Sequence, residues 1–128
     1  MLAVRPRFGG AIKRLGMLTL LMVVSSAALA WQYKQLSGSY RISGQTFYDP
    51  PENEPQDTHF YVELTGSAAK DLFKKMKVTP VADVCADTGT LSKTIGEMRC
   101  TQSANGKQHR CWFGIDIKNQ RITNGVVC

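Results

Sequence analysis

The chain has 128 residues, four cysteines and a formal net charge of +6, a length that holds a single domain of ordinary size. Four of its sixteen basic residues and none of its ten acidic ones precede Trp31, so the remainder carries only +2. That balance excludes a basic nucleic-acid-binding domain, because most of the excess charge sits ahead of the domain and not on its surface.

Arg5, Arg7, Lys13 and Arg14 open the chain, and an apolar run over residues 17–29 follows, interrupted only by Thr19, Ser25 and Ser26. The run closes on Ala28-Leu29-Ala30, the small-x-small pattern that signal peptidases accept. It predicts a signal peptide over residues 1–30 with cleavage after Ala30. The apolar stretch falls short of the roughly 20 residues a spanning helix needs. An uncleaved membrane anchor is the alternative, and the only route by which this chain is expected to meet a membrane. No cysteine adjoins the cleavage site, so no lipid anchor is expected. Residues 31–128 then form one small exported domain of bacterial type, periplasmic or extracellular.

Within that domain Tyr40 and Ile42 alternate with polar residues and predict a strand, interrupted at Gly44 ahead of Phe47 and Tyr48. Residues 49–57 hold three prolines and the four carboxylates Asp49, Glu52, Glu54 and Asp57. Proline lacks the N–H that a ladder needs and the acids repel one another, which predicts a solvated loop. Thr58 onward returns to a strand, with Phe60, Val62 and Leu64 on one face and His59, Tyr61 and Glu63 on the other. Thr65-Gly66-Ser67 supplies hydroxyls that can cap a helix. Ala68, Ala69, Leu72, Phe73 and Met76 then recur at the spacing of a buried helical stripe, with Lys70, Lys74, Lys75 and Lys77 outside it. The helix is expected to stop ahead of Pro80. The apolar stretch over residues 78–84 and the run over residues 91–95 read as short strands, separated by turn chemistry at Asp87-Thr88-Gly89-Thr90.

The C-terminal third is organised around Asn105-Gly106, the dipeptide suited to the two positive φ angles of a type I′ hairpin turn. Counting outward from it, Ala104 faces Lys107, Cys100 faces Cys111 and Arg99 faces Trp112. In the second strand Cys111, Phe113, Ile115 and Ile117 alternate with Arg110, Trp112 and Asp116. Lys118-Asn119-Gln120 turns the chain again, and residues 121–128 are expected to return as an edge strand. The fold class is α+β: a small antiparallel β-meander with one short helix packed on it, stapled by disulfides and preceded by a signal peptide.

An even number of cysteines behind an export signal predicts two disulfides. Two pairings compete: Cys100–Cys111 with Cys85–Cys128, or Cys85–Cys100 with Cys111–Cys128. The local cross-strand pair would occupy a hydrogen-bonded site in a type I′ hairpin, where the geometry is less favourable. A four-cysteine metal site is weaker, since there is no C-x-x-C pair, and no metal or cofactor is expected.

His59 and His109 are the only histidines. Ser37, His59 and Asp57 can be assembled into a triad on paper, but no nucleophile elbow accompanies them. His109, opposite Gln102 near the hairpin tip, is expected to be exposed. Glu52 and Glu54 lie on a loop with no rigid apolar pocket to raise a catalytic acid's pKa. No catalytic residue is assigned. The expected partner contacts are Glu52, Glu54 and Asp57, whose charge can steer a basic protein, together with Arg110 and Trp112, residue types favoured at interface hot spots. For Trp112, packing against the helix is the competing expectation. The leading expectation is a small exported, non-catalytic binding protein, an inhibitor or immunity-type protein acting on another envelope protein. Its format of signal peptide, small β-rich domain and disulfides is similar to that of lysozyme-type inhibitors, a similarity of format and not of motif. The alternative is a structural or accessory envelope protein held by an uncleaved anchor.

Overall fold

Period-two alternation from residue 37 onward builds seven strands, with one helix packed against them. The structure, a computed structural model, describes residues 32–128; the expected signal peptide lies outside them. The strands are β1 (Ser37–Ser43), β2 (His59–Thr65), β3 (Val81–Ala82), β4 (Leu91–Ile95), β5 (Met98–Gln102), β6 (His109–Asp116) and β7 (Arg121–Thr123), with helix α1 (Gly66–Lys75) between β2 and β3. They form one antiparallel sheet in the order β1-β2-β6-β5-β4-β3. Residues Gln35–Cys128 make one compact unit.

The meander is real from β3 to β6 but is not the whole sheet. β2 pairs with β6 along its full length, from His59 opposite Asp116 to Thr65 opposite Arg110. The other edge of β6 is shared. β5 takes its first half, Arg99 to Gln102 against Trp112 to His109, and β7 takes Gly114 to Asp116. The expected long final strand is therefore only three residues. β3 is also shorter than expected: it begins only after Pro80 and is two residues long, because the chain bends away from Val84 onward.

α1 covers one half of one sheet face. Ala69, Phe73 and Met76 pack on Cys100 and Cys111, with Leu64, Leu72, Leu91 and Met98 around them. A helix of ten residues is marginal by itself, and two features hold it here. Its apolar stripe is buried, and the ammonium of Lys93 donates to the carbonyls of Phe73 (2.8 Å) and Met76 (3.1 Å), groups the helix cannot satisfy internally. The same nitrogen sits 4.6 Å over the Phe73 ring. The expected N-terminal hydroxyl cap is not formed: Thr65 occupies the cap position without a side-chain cap bond.

The hairpin register is as expected, with Cys100 opposite Cys111 and Arg99 opposite Trp112, but the turn is different. Gly106 has φ +72° while Asn105 stays on the negative side, and the Gly106 N–H donates to Ser103. The turn over residues 103–106 leads into a four-residue loop closed by the Ser103 N–H to Gln108 carbonyl bond. Moving the closing pair outward by one shifts the alternation of the ladder. Cys100 and Cys111 thereby fall on a non-hydrogen-bonded pair, with Cα atoms 4.0 Å apart, the closer of the two antiparallel spacings. This removes the geometric objection to a cross-strand bridge. The pairing is Cys100–Cys111 with Cys85–Cys128, and the described residues contain no free cysteine.

Candidate functional site

The face of the sheet away from α1 carries the polar half of each alternation. One cross-strand row runs Glu63, Trp112, Arg99. The next towards one end runs Arg41, Tyr61, Gly114, and towards the other Arg110, Thr101, Ser92. Packing against the helix is thus excluded for Trp112, which stands on the opposite face. Its indole N–H donates to Glu63 Oε2 at 2.9 Å, fixing a half-buried ring at the centre of the row.

Loops, not a helix, close over this face. The segment over residues 44–57 folds back on Tyr61, whose hydroxyl donates to the Gly44 carbonyl at 3.1 Å and whose ring lies 4.8 Å from Phe47. Arg41 covers both rings, 5.3 and 5.2 Å from their centroids. At the other end Asp83 is buried and bonds the Arg99 guanidinium and the Cys85 N–H. Burial pushes its carboxyl up, yet Arg99 and the N–H bonds of Cys85 and Ala86 outweigh that and hold it below the usual range. After β7 the last residues cross β6 as a strap that ends in the Cys85–Cys128 bridge. The crossing needs glycine on both sides. A Cβ at Gly114 would sit 2.9 Å from the Asn124 carbonyl oxygen and from the Tyr61 ring, and one at Gly125 would sit 2.5 Å from the Phe113 nitrogen.

Trp112, Tyr48 and the strap residues Val126 and Val127 separate two adjoining concavities. The smaller, about 270 Å³, reaches Arg41, Tyr61 and Glu63. The larger, about 470 Å³, reaches Asp83, Arg99, Arg110 and Cys128. Together they make a groove with an aromatic centre and charged walls. Tyr48 is 72% exposed there, free to contact anything that enters.

The structure brings Arg110 and Trp112 to one cavity. Glu52, Glu54 and Asp57 line neither cavity, although the groove begins at Tyr48, next to their loop. Glu54 is engaged inside that loop: it accepts from the Thr46 hydroxyl at 2.6 Å, from the Thr46 N–H at 3.2 Å and from Gln56 at 3.5 Å. These bonds, the Thr46 hydroxyl first, hold its carboxyl below the usual range. Glu52 and Asp57 remain exposed. Ser37 pairs with Thr65 while His59 pairs with Ser43, so Ser37 and His59 are six ladder steps, about 20 Å, apart and form no triad. His59 is buried, with Nδ1 2.8 Å from the Thr58 hydroxyl and Nε2 4.0 Å from Asp116. His109, expected to be exposed, is buried against Phe73, because its side of β6 lies under α1.

Sequence reasoning missed Arg41, Tyr48, Tyr61, Glu63 and the Asp83–Arg99 pair. Alternation alone puts Tyr61 and Glu63 on the Trp112 side; nothing in the sequence joins Asp83 to Arg99. Among the described residues no group of histidines, cysteines and acids is arranged to hold a metal ion, and no helix is long and apolar enough to cross a membrane. No family model, curated protein or solved structure matches this chain.

Proposed function

We propose that this chain is a small exported, non-catalytic binding protein that engages another envelope protein through the groove around Trp112. The observation that carries the reading is the groove itself. An indole held by Glu63 stands between two concavities, with an exposed Tyr48 and the guanidinium groups of Arg41 and Arg110 in reach. Rigid aromatics and arginine are the side chains that dominate interface energies. Two closed disulfides fit an oxidising compartment and leave little ordering cost on binding. Within this class the reading is an inhibitor or immunity-type protein, with Glu52 and Asp57 steering a basic envelope enzyme towards the groove.

The test is capture from envelope extract with the oxidised chain, followed by titration against basic cell-wall hydrolases. Trp112→Ala should weaken the captured partner by at least 2 kcal/mol, the size of a hot-spot loss, and Glu52→Gln with Asp57→Asn should slow association mainly at low salt. Retention of full affinity by Trp112→Ala would remove the groove from the proposal.

The second reading is a structural or accessory envelope protein held by an uncleaved anchor. The half of the sheet that α1 leaves uncovered favours it. There Ile42, Phe60, Ile115 and Ile122 form one cross-strand row and Tyr40, Val62 and Phe113 the next. Tyr40, Ile42 and Ile122 are more than half exposed. N-terminal sequencing of the protein from fractionated cells separates the two readings: Trp31 as first residue supports export with cleavage, Met1 supports the anchor.

A further inference from the structure

Among the described residues β1, β3 and β7 each pair on one side only, and the three edges are finished differently. β3 and β7 are two and three residues long, the usual way of blunting an exposed edge. β1 is seven residues long, pairs with β2 from end to end without a bulge and carries neither proline nor lysine. The ladder fixes which of its backbone groups are open. Cys100 and Cys111 are a non-hydrogen-bonded pair, so the N–H and C=O of Cys111 turn away from β5 to Leu64. Alternation then turns those of Glu63 to Ser39, and it leaves Gly38, Tyr40 and Ile42 with theirs directed outward. Among the described residues no backbone bond outside the sheet takes them up.

The same three residues stand on the half of the sheet face that α1 leaves open. Tyr40 and Ile42 are 69% and 55% exposed. Beside Gly38 that face holds a cavity of about 420 Å³, lined also by Leu36, Tyr40, Val62, Leu64 and Phe113. Along one edge β1 therefore presents unpaired backbone, an apolar knob at Ile42 and an apolar hollow at Gly38, spaced equally on either side of Tyr40.

We propose that β1 is the contact through which two copies of this chain pair, antiparallel and related by a two-fold axis at Tyr40. In that register Tyr40 faces its own copy, and Ile42 faces the partner's Gly38 and fills the hollow beside it; the two-fold repeats the contact. Gly38, Tyr40 and Ile42 exchange backbone hydrogen bonds across the axis, which joins two seven-stranded sheets into one. Charge and length select this register over its neighbours. Arg41 faces the partner's Ser39 here, whereas a shift of the axis to Arg41 would set two guanidinium groups against each other. A shift to Ser39 would carry Ile42 past the end of the partner's strand. A short ladder and one apolar knob make a small interface, so the pair is transient and dissociates on dilution. The proposal goes beyond the binding role given above and stands without it.

The test is sedimentation velocity of the oxidised full chain over a range of concentrations. The expected result is a reversible monomer–dimer equilibrium, with amide hydrogen exchange at Tyr40 and Ile42 slowing as concentration rises while Ser39 and Arg41, already bonded to β2, stay unchanged. Ile42→Lys should weaken dimerisation at least about tenfold, because it sets an ammonium against an apolar hollow. Ile122→Lys, on the same face but on β7, should leave it unaltered. Both side chains are more than half exposed, so the variants are expected to fold, and their urea midpoints verify it. An equal loss in Ile122→Lys would assign the association to the open face as a whole, and undiminished association in Ile42→Lys would assign it elsewhere on the chain; either overturns the proposal. So does a monomer at every concentration up to about 1 mM, whether its outer β1 amides exchange freely or are shielded by another segment of the chain.

Discussion

At the scale of single residues, buried ionisable groups make stability follow pH, His109 and Asp83 among them. Burial, then the charges of Lys70 and Lys74, depress the pKa of His109 below its ordinary value of 6.5. A depressed folded value means that its contribution is complete above the unfolded-chain pKa and is lost as pH falls through the folded one. The urea midpoint should therefore decline as pH falls below about 6.5, and His109→Gln should flatten that slope. Asp83 acts lower on the scale by the same sign: its contribution holds above roughly pH 3.9 and is lost as pH falls through its lower folded value. Removing its partner strands a carboxylate with no exposed side-chain surface. Arg99→Met should cost about 3 kcal/mol by denaturant titration. Asp83→Leu combined with Arg99→Met should cost less than that, since no charge is then left unpaired.

At the scale of elements, the two disulfides do different work. Cys100–Cys111 closes a short loop and sits fully buried under α1, while Cys85–Cys128 spans 43 residues and is exposed. Chain-entropy arguments give about 3 kcal/mol for the first and about 4 kcal/mol for the second. Exposure decides which yields first: mild reductant followed by alkylation should label Cys85 and Cys128 before the buried pair, as peptide mass mapping would read. The strap that Cys128 fastens also depends on Gly125, where any side chain meets the backbone of Phe113. Gly125→Ala should destabilise by about 1–3 kcal/mol. α1 depends on Lys93 as well as on its own stripe, because that side chain takes up the carbonyls at its end.

At the scale of the whole molecule, the two sheet faces are finished differently. The Trp112 face is closed by loops and a strap that leave a groove; the α1 face is closed over one half only. The open half exposes two apolar rows beside the edge strand β1, an arrangement that soluble sheets usually guard against. The oxidised native protein should therefore bind a fluorescent apolar dye such as ANS, and Ile42→Lys with Ile122→Lys should reduce that signal while the urea midpoint moves by less than about 0.5 kcal/mol equivalent.

By itself the sequence determined what short-range rules govern. Alternation assigned the faces of β2 and β6, the apolar stripe through Ala69 and Phe73 placed α1, and two residues around Gly106 were enough to place Cys100 opposite Cys111. Only the tertiary structure decided the rest. The turn at Gly106 changed type because the Ser103–Gln108 pair closes the loop, and that moved the cysteines onto the favourable half of the ladder. His109 became buried because α1 lies across its side of β6. Asp83 found Arg99 because β4 brings the segment after β3 beside β5, and the last residues became a strap instead of a strand because β5 and β7 divide one edge of β6 between them. Local patterns record which way a side chain points; which loop or helix meets it there is settled by pairings between segments far apart in the chain, and no single stretch of sequence carries those.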